Sequence, residues 1–165
     1  MSQIDTPKPP TSAILRRCES ARDFNLAVEL TRAYIQWLNI DLAFQDIDEE
    51  LDQFATHYDK PRGLYLLAFC EEQITGGVGL REFSEGICEM KRMYVYDTYQ
   101  GLGIGRQLCE AIIESARQLG YTHMRLDTMN WLKPAVNLYA SYGFIEIEAY
   151  RTNPDPGALY MELEL

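Results

Sequence analysis

The spacing of hydrophobic residues predicts a short strand and two helices in the first third of the chain. Residues 13–18 are strand-like, and residues 24–38 repeat apolar side chains at about the helical period. Ser20 precedes this run, with Asp23 three residues later, which is a variant of the capping box that starts a helix. A second helix is predicted over residues 47–58, where apolar positions again recur at helical spacing.

The rest of the chain alternates strands and helices, separated by glycine and proline. Strands are predicted over 63–70, 75–82, 87–96, 122–128, 144–150 and 158–165, and helices over 103–119 and 132–142. The resulting order is one strand, two helices, three strands, a helix, a strand, a helix and two strands. The third of the three consecutive strands changes its pattern along its length.

In that strand the alternation of apolar and polar positions changes phase. Residues 88–91 alternate apolar with charged side chains, but the run Arg92-Met93-Tyr94-Val95 does not continue the alternation. A bulge near residues 91–93 would return the apolar side chains to the inner face of the sheet. We therefore predict a bulge there.

Composition fits a single domain without a membrane span. The chain has 165 residues, of which 47% are hydrophobic, enough for one core. No apolar run approaches the roughly 18 residues that a membrane span needs. The first ten residues have neither the charged nor the apolar region of a signal peptide. We expect a flexible leader over residues 1–12, a domain over residues 13–165 and a cytoplasmic location.

Net charge and cysteine spacing bear on possible partners. A net charge of −10 argues against nucleic acid, because neutralising phosphates needs a basic face. It is compatible with a cationic acceptor such as an amine, although an acidic balance more often serves solubility alone. The four cysteines, Cys18, Cys70, Cys88 and Cys109, form no Cys-x-x-Cys pair. We expect buried, reduced thiols and no metal site.

The most informative motif is a glycine-rich turn between the strand 87–96 and the helix 103–119. Gly101, Gly103 and Gly105 lack side chains, so backbone N–H groups at the start of the helix can face one bound anion. A dinucleotide fingerprint would need a glycine where Arg106 stands, and no Gly-Lys-Ser/Thr of a nucleoside-triphosphate loop occurs. A glycine-rich turn without a ligand remains the alternative.

Two motifs in this region resemble those of a known family. Gln100, Gly103 and Gly105 match Gln/Arg-x-x-Gly-x-Gly/Ala, and residues 137–144 read Asn-Leu-Tyr-Ala-Ser-Tyr-Gly-Phe. The chain thereby resembles the GNAT superfamily of N-acetyltransferases from about residue 14 to its end, most strongly over 87–144. The resemblance implies an α/β (α+β) fold with a central mixed, mostly antiparallel sheet of six to seven strands flanked by about four helices.

The resemblance also implies a cofactor and a reaction. Acetyl-CoA would be the co-substrate, with no metal, and the acceptor would be the primary amine of a small molecule, amino acid or peptide that attacks directly in a ternary complex. The expected cofactor-binding residues are Met93, Tyr94, Val95, Gln100, Gly101, Leu102, Gly103, Ile104, Gly105, Arg106 and Asn130. For Asn130, capping the helix that follows is an equally good interpretation.

Two residues match the family's catalytic positions. Glu89 lies eleven residues before Gln100, the spacing of the catalytic glutamate in histone-acetylating members, and is the predicted general base, acting directly or through water. Tyr139 is the predicted general acid, or hydrogen-bond donor, for the departing thiolate. The structural alternatives are a strand glutamate that faces solvent or pairs with Arg92, and a tyrosine that packs beneath the loop.

Two other functions stay open at this level. The chain could acetylate protein lysines or N-termini, or it could be a regulatory module that binds acyl-CoA without catalysis. The presence of both Glu89 and Tyr139 argues against the module. The sequence leaves a homodimer open and does not specify the acceptor.

Overall fold

A seven-stranded sheet organises the computed structural model, which describes residues 12–41 and 46–165. The strands are β1 (Ile14–Arg17), β2 (Leu64–Cys70), β3 (Gln73–Ser84), β4 (Ile87–Val95), β5 (His123–Met129), β6 (Ile145–Ile147) and β7 (Ala158–Glu164). The helices within these residues are α1 (Ala21–Leu38), α2 (Ile47–Asp52), α3 (Phe54–His57), α4 (Ile104–Gln118) and α5 (Lys133–Ser141). The predicted leader lies almost wholly outside the described residues.

The sheet is mixed and mostly antiparallel, as predicted. Its strand order is β1-β2-β3-β4-β5-β7-β6, and β4 and β5 are parallel neighbours joined through α4. The helix predicted over 47–58 is instead two short helices, because Gln53 leaves the helical backbone conformation between them. This break lets the ring of Phe54 pack 4.6 Å from that of Tyr58 and 5.2 Å from that of Tyr65, measured between centroids.

Each face of the sheet carries its own hydrophobic core. On one face α4 packs on β3 and β4, and Leu108 and Ile112 are fully buried there. On the other face α1, α2 and α3 cover the sheet around Leu30, Tyr58 and Tyr65. Two covered faces explain why β2 is a continuous apolar run rather than an alternating one.

Several local predictions are confirmed. Ser20 caps α1, with its side chain and that of Asp23 forming both bonds of a capping box. All four cysteines are buried thiols. Within the described residues, no helix is both long and apolar enough to cross a membrane.

The predicted bulge is present in β4. The register with β3 passes from Lys91 opposite Gly79 to Tyr94 opposite Gly77, so Arg92 and Met93 together face one residue of β3. Arg92 has a φ of 56°, a left-handed conformation that is uncommon outside glycine. β4 pairs with β5 only over Ile87–Glu89, and the two strands separate after that point.

Candidate active site

A cavity of about 430 Å³ lies where β4 and β5 separate. Seven of the residues predicted from the sequence line it: Met93, Tyr94, Val95, Gln100, Gly101, Gly105 and Tyr139. Its walls are mostly apolar, with aromatic rings from α1 and from the segment between β5 and α5. An elongated, apolar chain that ends in a charged group would suit a cleft of this kind.

The glycine-rich turn forms one end of this cavity. Gly101 and Gly103 have φ values of 80° and 84°, a region that a side chain makes costly. The side-chain amide of Gln100 donates to the carbonyl oxygen of Val95 at 2.9 Å and to Asp97 Oδ1 at 3.1 Å. The Gln100 side chain thereby ties the turn to the end of β4.

The turn also fits the pyrophosphate of a coenzyme A. Gly103 precedes α4 as its N-cap and no side chain caps the helix, so the N–H groups of its first turn are left for a ligand. A Cβ atom added at Gly101 or Gly103 would meet no atom within 4 Å. The open space in front of these glycines is where an anion could approach the backbone.

The other predicted loop residues lie beside the cavity rather than on its wall. Leu102 is 41% exposed, and Ile104 is buried in the core. The guanidinium of Arg106 stacks over the ring of Tyr142 at 5.5 Å, and the Tyr142 hydroxyl donates to the Arg106 carbonyl oxygen at 3.3 Å. Their roles in cofactor binding stay predictions.

Tyr139 faces the cavity from α5, and its side chain is buried. Its ring packs edge-on against Phe144, with centroids 5.9 Å apart. Burial raises the pKa of Tyr139 well above its ordinary value, so the phenol stays protonated. Such a hydroxyl is suited to donate a hydrogen bond rather than to give up its proton.

Asn130 does not cap the following helix. The N-cap of α5 is Leu132, and Asn130 is exposed and hydrogen-bonded through its backbone N–H to the Gly157 carbonyl oxygen at 2.8 Å. Leu132 takes the cap position because Pro134 sits in the first turn of the helix, where its missing N–H costs nothing. The capping alternative is therefore wrong, and contact with the cofactor stays a prediction.

Glu89 is fully buried within a cluster of cations. Arg81 donates to its Oε1 at 3.2 and 3.1 Å, the Tyr150 hydroxyl donates to its Oε2 at 2.8 Å, and Arg151 also bonds Oε2. Burial alone would raise the pKa of this carboxyl, but Lys91, Arg151 and Arg81 together lower it to about 2. A carboxylate so weakly basic is a poor acceptor for an ammonium proton, and Glu89 is absent from the walls of the cavities described here. Its assignment as the general base stays a prediction, one that its ionic partners disfavour.

A second buried carboxylate continues the cluster. Glu50 belongs to an acidic run with Asp46, Asp48 and Glu49, and those three are exposed. Glu50 is instead 2% exposed, because Arg92 Nε contacts its Oε2 at 2.8 Å and the Tyr58 hydroxyl donates to its Oε1 at 2.9 Å. This ion pair fixes the β4 bulge against α2.

A smaller cavity of about 50 Å³ lies at the fork of β4 and β5. It shares Tyr34, Thr128 and Leu132 with the larger cavity, so the two adjoin. Lys91 and Asp127 line it, with Lys91 Nζ 3.6 Å from Asp127 Oδ1. Burial and Arg92 lower the pKa of Lys91 to about 8, against the opposing effects of Asp127 and Glu89.

The aromatic wall and the ionic cluster were not predicted from the sequence. Tyr34 and Trp37 on α1 pack with tilted rings against Tyr94, at centroid distances of 5.2 and 5.5 Å from its ring. Tyr34 was interpreted as a core residue from its helical spacing, and no local pattern separates a cavity wall from a core. Lys91 and Asp127 lie in strands that carry other charged residues as well, so nothing in the local sequence marked them out.

Comparison with known proteins agrees with this geometry. The sequence model of the "Acetyltransferase (GNAT) family" matches residues 30–144. An uncharacterized N-acetyltransferase of Schizosaccharomyces pombe is 38% identical, over 94% of this chain and 97% of its own length.

Solved structures share the fold. An acetyltransferase from Streptococcus agalactiae superposes with a TM-score of 0.75 at 23% identity, covering 94% of this chain and 99% of that one. The PaiA N-acetyltransferase of Thermoplasma acidophilum, solved in complex with coenzyme A, superposes with a TM-score of 0.70 at 18% identity, covering 94% and 100%.

Proposed function

The chain belongs to the GNAT acetyltransferase family, and from this membership we propose that it transfers an acetyl group from acetyl-CoA to the primary amine of a small molecule, an amino acid or a peptide. The proposal rests on one observation: the glycine turn forms one end of the cavity between β4 and β5. An anion-binding helix start at one end of an apolar cleft matches the chemistry of a pyrophosphate attached to a pantetheine arm.

The residues that would hold acetyl-CoA lie along this path. Backbone N–H groups from Gly101 to Arg106 would bind the pyrophosphate. Met93 and Val95, after the bulge, would pair through their backbones with the pantetheine arm, and the Val95 N–H would polarise the carbonyl. The co-substrate supplies the acetyl group as a thioester, which an amine can attack.

The acceptor amine has to lose a proton and the sulphur has to gain one. An aliphatic ammonium has a pKa of about 10, so most of it is protonated at neutral pH and a base is needed. Tyr139 lines the cavity and would donate a hydrogen bond to the leaving sulphur. We assign Glu89 an electrostatic role, in which it balances Arg81 and Arg151 beneath the fork.

Direct attack in a ternary complex is favoured over a covalent enzyme intermediate. The thiol of Cys109 is close enough to influence the pKa of Tyr139. This thiol is buried, and burial raises its own pKa to about 12. A thiol of this kind is a poor nucleophile. The donor would occupy the larger cavity, and the acceptor would approach from the side of the smaller one.

A thiol-release assay tests the proposal. Purified protein is incubated with acetyl-CoA and a panel of amines, amino acids and peptides with free N-termini or lysines, and each positive product is identified by mass. We expect release of coenzyme A together with one class of acetylated amine. Binding of acetyl-CoA without acetylation of any amine would favour the regulatory module, and acetylated lysine peptides alone would favour the protein acetyltransferase.

A further inference from the structure

We propose that Lys91, beside Asp127 at the fork of β4 and β5, is the base that takes the proton from the acceptor's ammonium group. The inference rests on the proposed function, because it names the group that the proposed reaction requires and that Glu89 is poorly suited to provide. It assigns a catalytic role to two residues at the fork of β4 and β5.

Position is the first argument. Lys91 and Asp127 line the small cavity at the fork, which shares three residues with the cofactor cleft. On the opposite face of the sheet α4 packs on β3 and β4, so we expect the acceptor amine to approach from the side of Lys91. Glu89 sits two residues deeper along β4, with no exposed surface.

Geometry distinguishes Lys91 from its ionic neighbours. Lys91 Nζ lies 3.6 Å from Asp127 Oδ1 and 3.8 Å from Glu89 Oε1, both longer than a hydrogen bond. Glu89 is clamped by shorter bonds from Arg81, Tyr150 and Arg151. The ammonium of Lys91 is therefore attracted by both carboxylates.

Burial and two neighbouring arginines lower the pKa of Lys91 toward the working pH, against two carboxylates. Arg92 on β4 and Arg151 after β6 disfavour the ammonium, while Glu89 on β4 and Asp127 on β5 favour it. Tyr34 from α1 and Asp155 from the segment before β7 complete the cavity wall. With burial added, the pKa of Lys91 is about 8, which suits a general base near neutral pH far better than the carboxyl of Glu89.

The proton balance closes without another reactant. Neutral Lys91 takes one proton from the ammonium, and the freed amine nitrogen bonds to the acetyl carbon as the carbon–sulphur bond breaks. The second proton of the attacking nitrogen goes to the departing sulphur, with Tyr139 hydrogen-bonded there. Lys91 then returns its proton to solvent.

A titration by NMR tests the lysine directly in the native protein. The chain has four lysines, Lys8, Lys60, Lys91 and Lys133, so a sample with ¹³C-labelled lysine gives few side-chain signals. The signal lost in Lys91→Arg identifies Lys91. We expect it to titrate with a pKa of about 8, about two pH units below the ordinary value of a lysine. Asp127→Asn should lower this pKa further, because an anion that favours the ammonium is removed.

The second readout is the rate at which the protein acetylates an amine identified by the thiol-release assay. Lys91→Met and Lys91→Arg should both slow kcat by about 10²–10⁴, since neither can accept the proton, while Lys60→Met at an exposed position should leave it unchanged. In Asp127→Asn the acidic limb of the kcat profile should move to lower pH. A Lys91→Arg enzyme of full activity, or a lysine that titrates near pH 10 in an active wild type, would overturn the proposal for Lys91 alone. A folded wild type that acetylates no amine would overturn the proposed function, and the base role with it.

Discussion

At the scale of single residues, the ability of a carboxylate to accept a proton depends on its neighbours more than on its place in a motif. Glu89 stands at the spacing of a catalytic glutamate, yet Arg81, Arg151 and Lys91 surround it and keep it ionised. A buried ion pair contributes little net stability over an apolar replacement, but removing one partner leaves the others uncompensated. Glu89 is therefore better suited to neutralise the positive charge of its neighbours than to accept a proton.

This view of Glu89 predicts a stability effect with a defined pH dependence. Its pKa in the folded state, about 2, lies below the ordinary 4.5, so its stabilisation is present above the ordinary value and is lost as pH falls toward 2. Glu89→Gln should lower the free energy of unfolding by about 3–5 kcal/mol at neutral pH, and less at about pH 3. Urea denaturation at both pH values measures this, with Glu146→Gln on the exposed strand β6 as the control. An equal loss at both pH values would contradict the assigned ionisation.

Tyr139 supports a second prediction at this scale. Tyr139→Phe should slow acetyl transfer by about 10²–10⁴, because the departing thiolate loses its hydrogen-bond donor while the ring keeps its packing. The loss should shrink with an acyl donor whose thiol is more acidic.

The matched control is Tyr142→Phe, which removes a hydroxyl bonded to the Arg106 carbonyl oxygen outside the larger cavity and should leave kcat unchanged. Equal slowing of Tyr139→Phe with both donors, or a fall in Tm large enough to account for the lost rate, would make Tyr139 structural.

At the scale of elements, two irregularities in sequence create the cleft. The bulge at Arg92 and Met93 bends β4 away from β5, and the glycine turn then brings the start of α4 to the end of the resulting gap. A regular strand followed by an ordinary capped helix would close the sheet and fill the anion site with a side chain.

The glycine turn can be tested with a matched pair of alanine variants. Gly103 and Gly120 have φ values of 84° and 86°, and a Cβ atom at either would meet nothing within 4 Å. Alanine at either position should lower the free energy of unfolding by about 1–2 kcal/mol through backbone strain. Only Gly103→Ala should also weaken acetyl-CoA binding, by about tenfold or more, because its methyl group enters the space assigned to the phosphates. Calorimetric titration with acetyl-CoA decides, and equal affinities in the two variants would place the pyrophosphate elsewhere.

At the scale of the whole molecule, local patterns were enough for the architecture. Apolar periodicity predicted the order of strands and long helices, the phase change in 88–95 predicted the bulge, and the motifs predicted the turn that lines the cleft. These features are encoded within short stretches, where propensity and spacing act. The break at Gln53 was missed because no glycine or proline marks it.

The charged cluster could not be predicted in the same way. Glu50 on α2, Arg81 on β3, Glu89 and Arg92 on β4 and Arg151 after β6 lie far apart in sequence and meet only after folding. In the sequence each of these residues resembles an ordinary exposed charged residue. Its ionic partner is brought next to it only when the chain folds. The same holds for Lys91 and Asp127, which come together because β4 and β5 are neighbours.

The structure of the protein bound to acetyl-CoA, determined by crystallography, is the most direct test of the central claim. We expect the pyrophosphate within hydrogen-bond distance of backbone nitrogens between Gly101 and Arg106, and the acetyl group at the fork, beside Tyr139 and facing Lys91. Acetyl-CoA bound outside the gap between β4 and β5, or bound there with its pyrophosphate away from the glycine turn, would contradict the account.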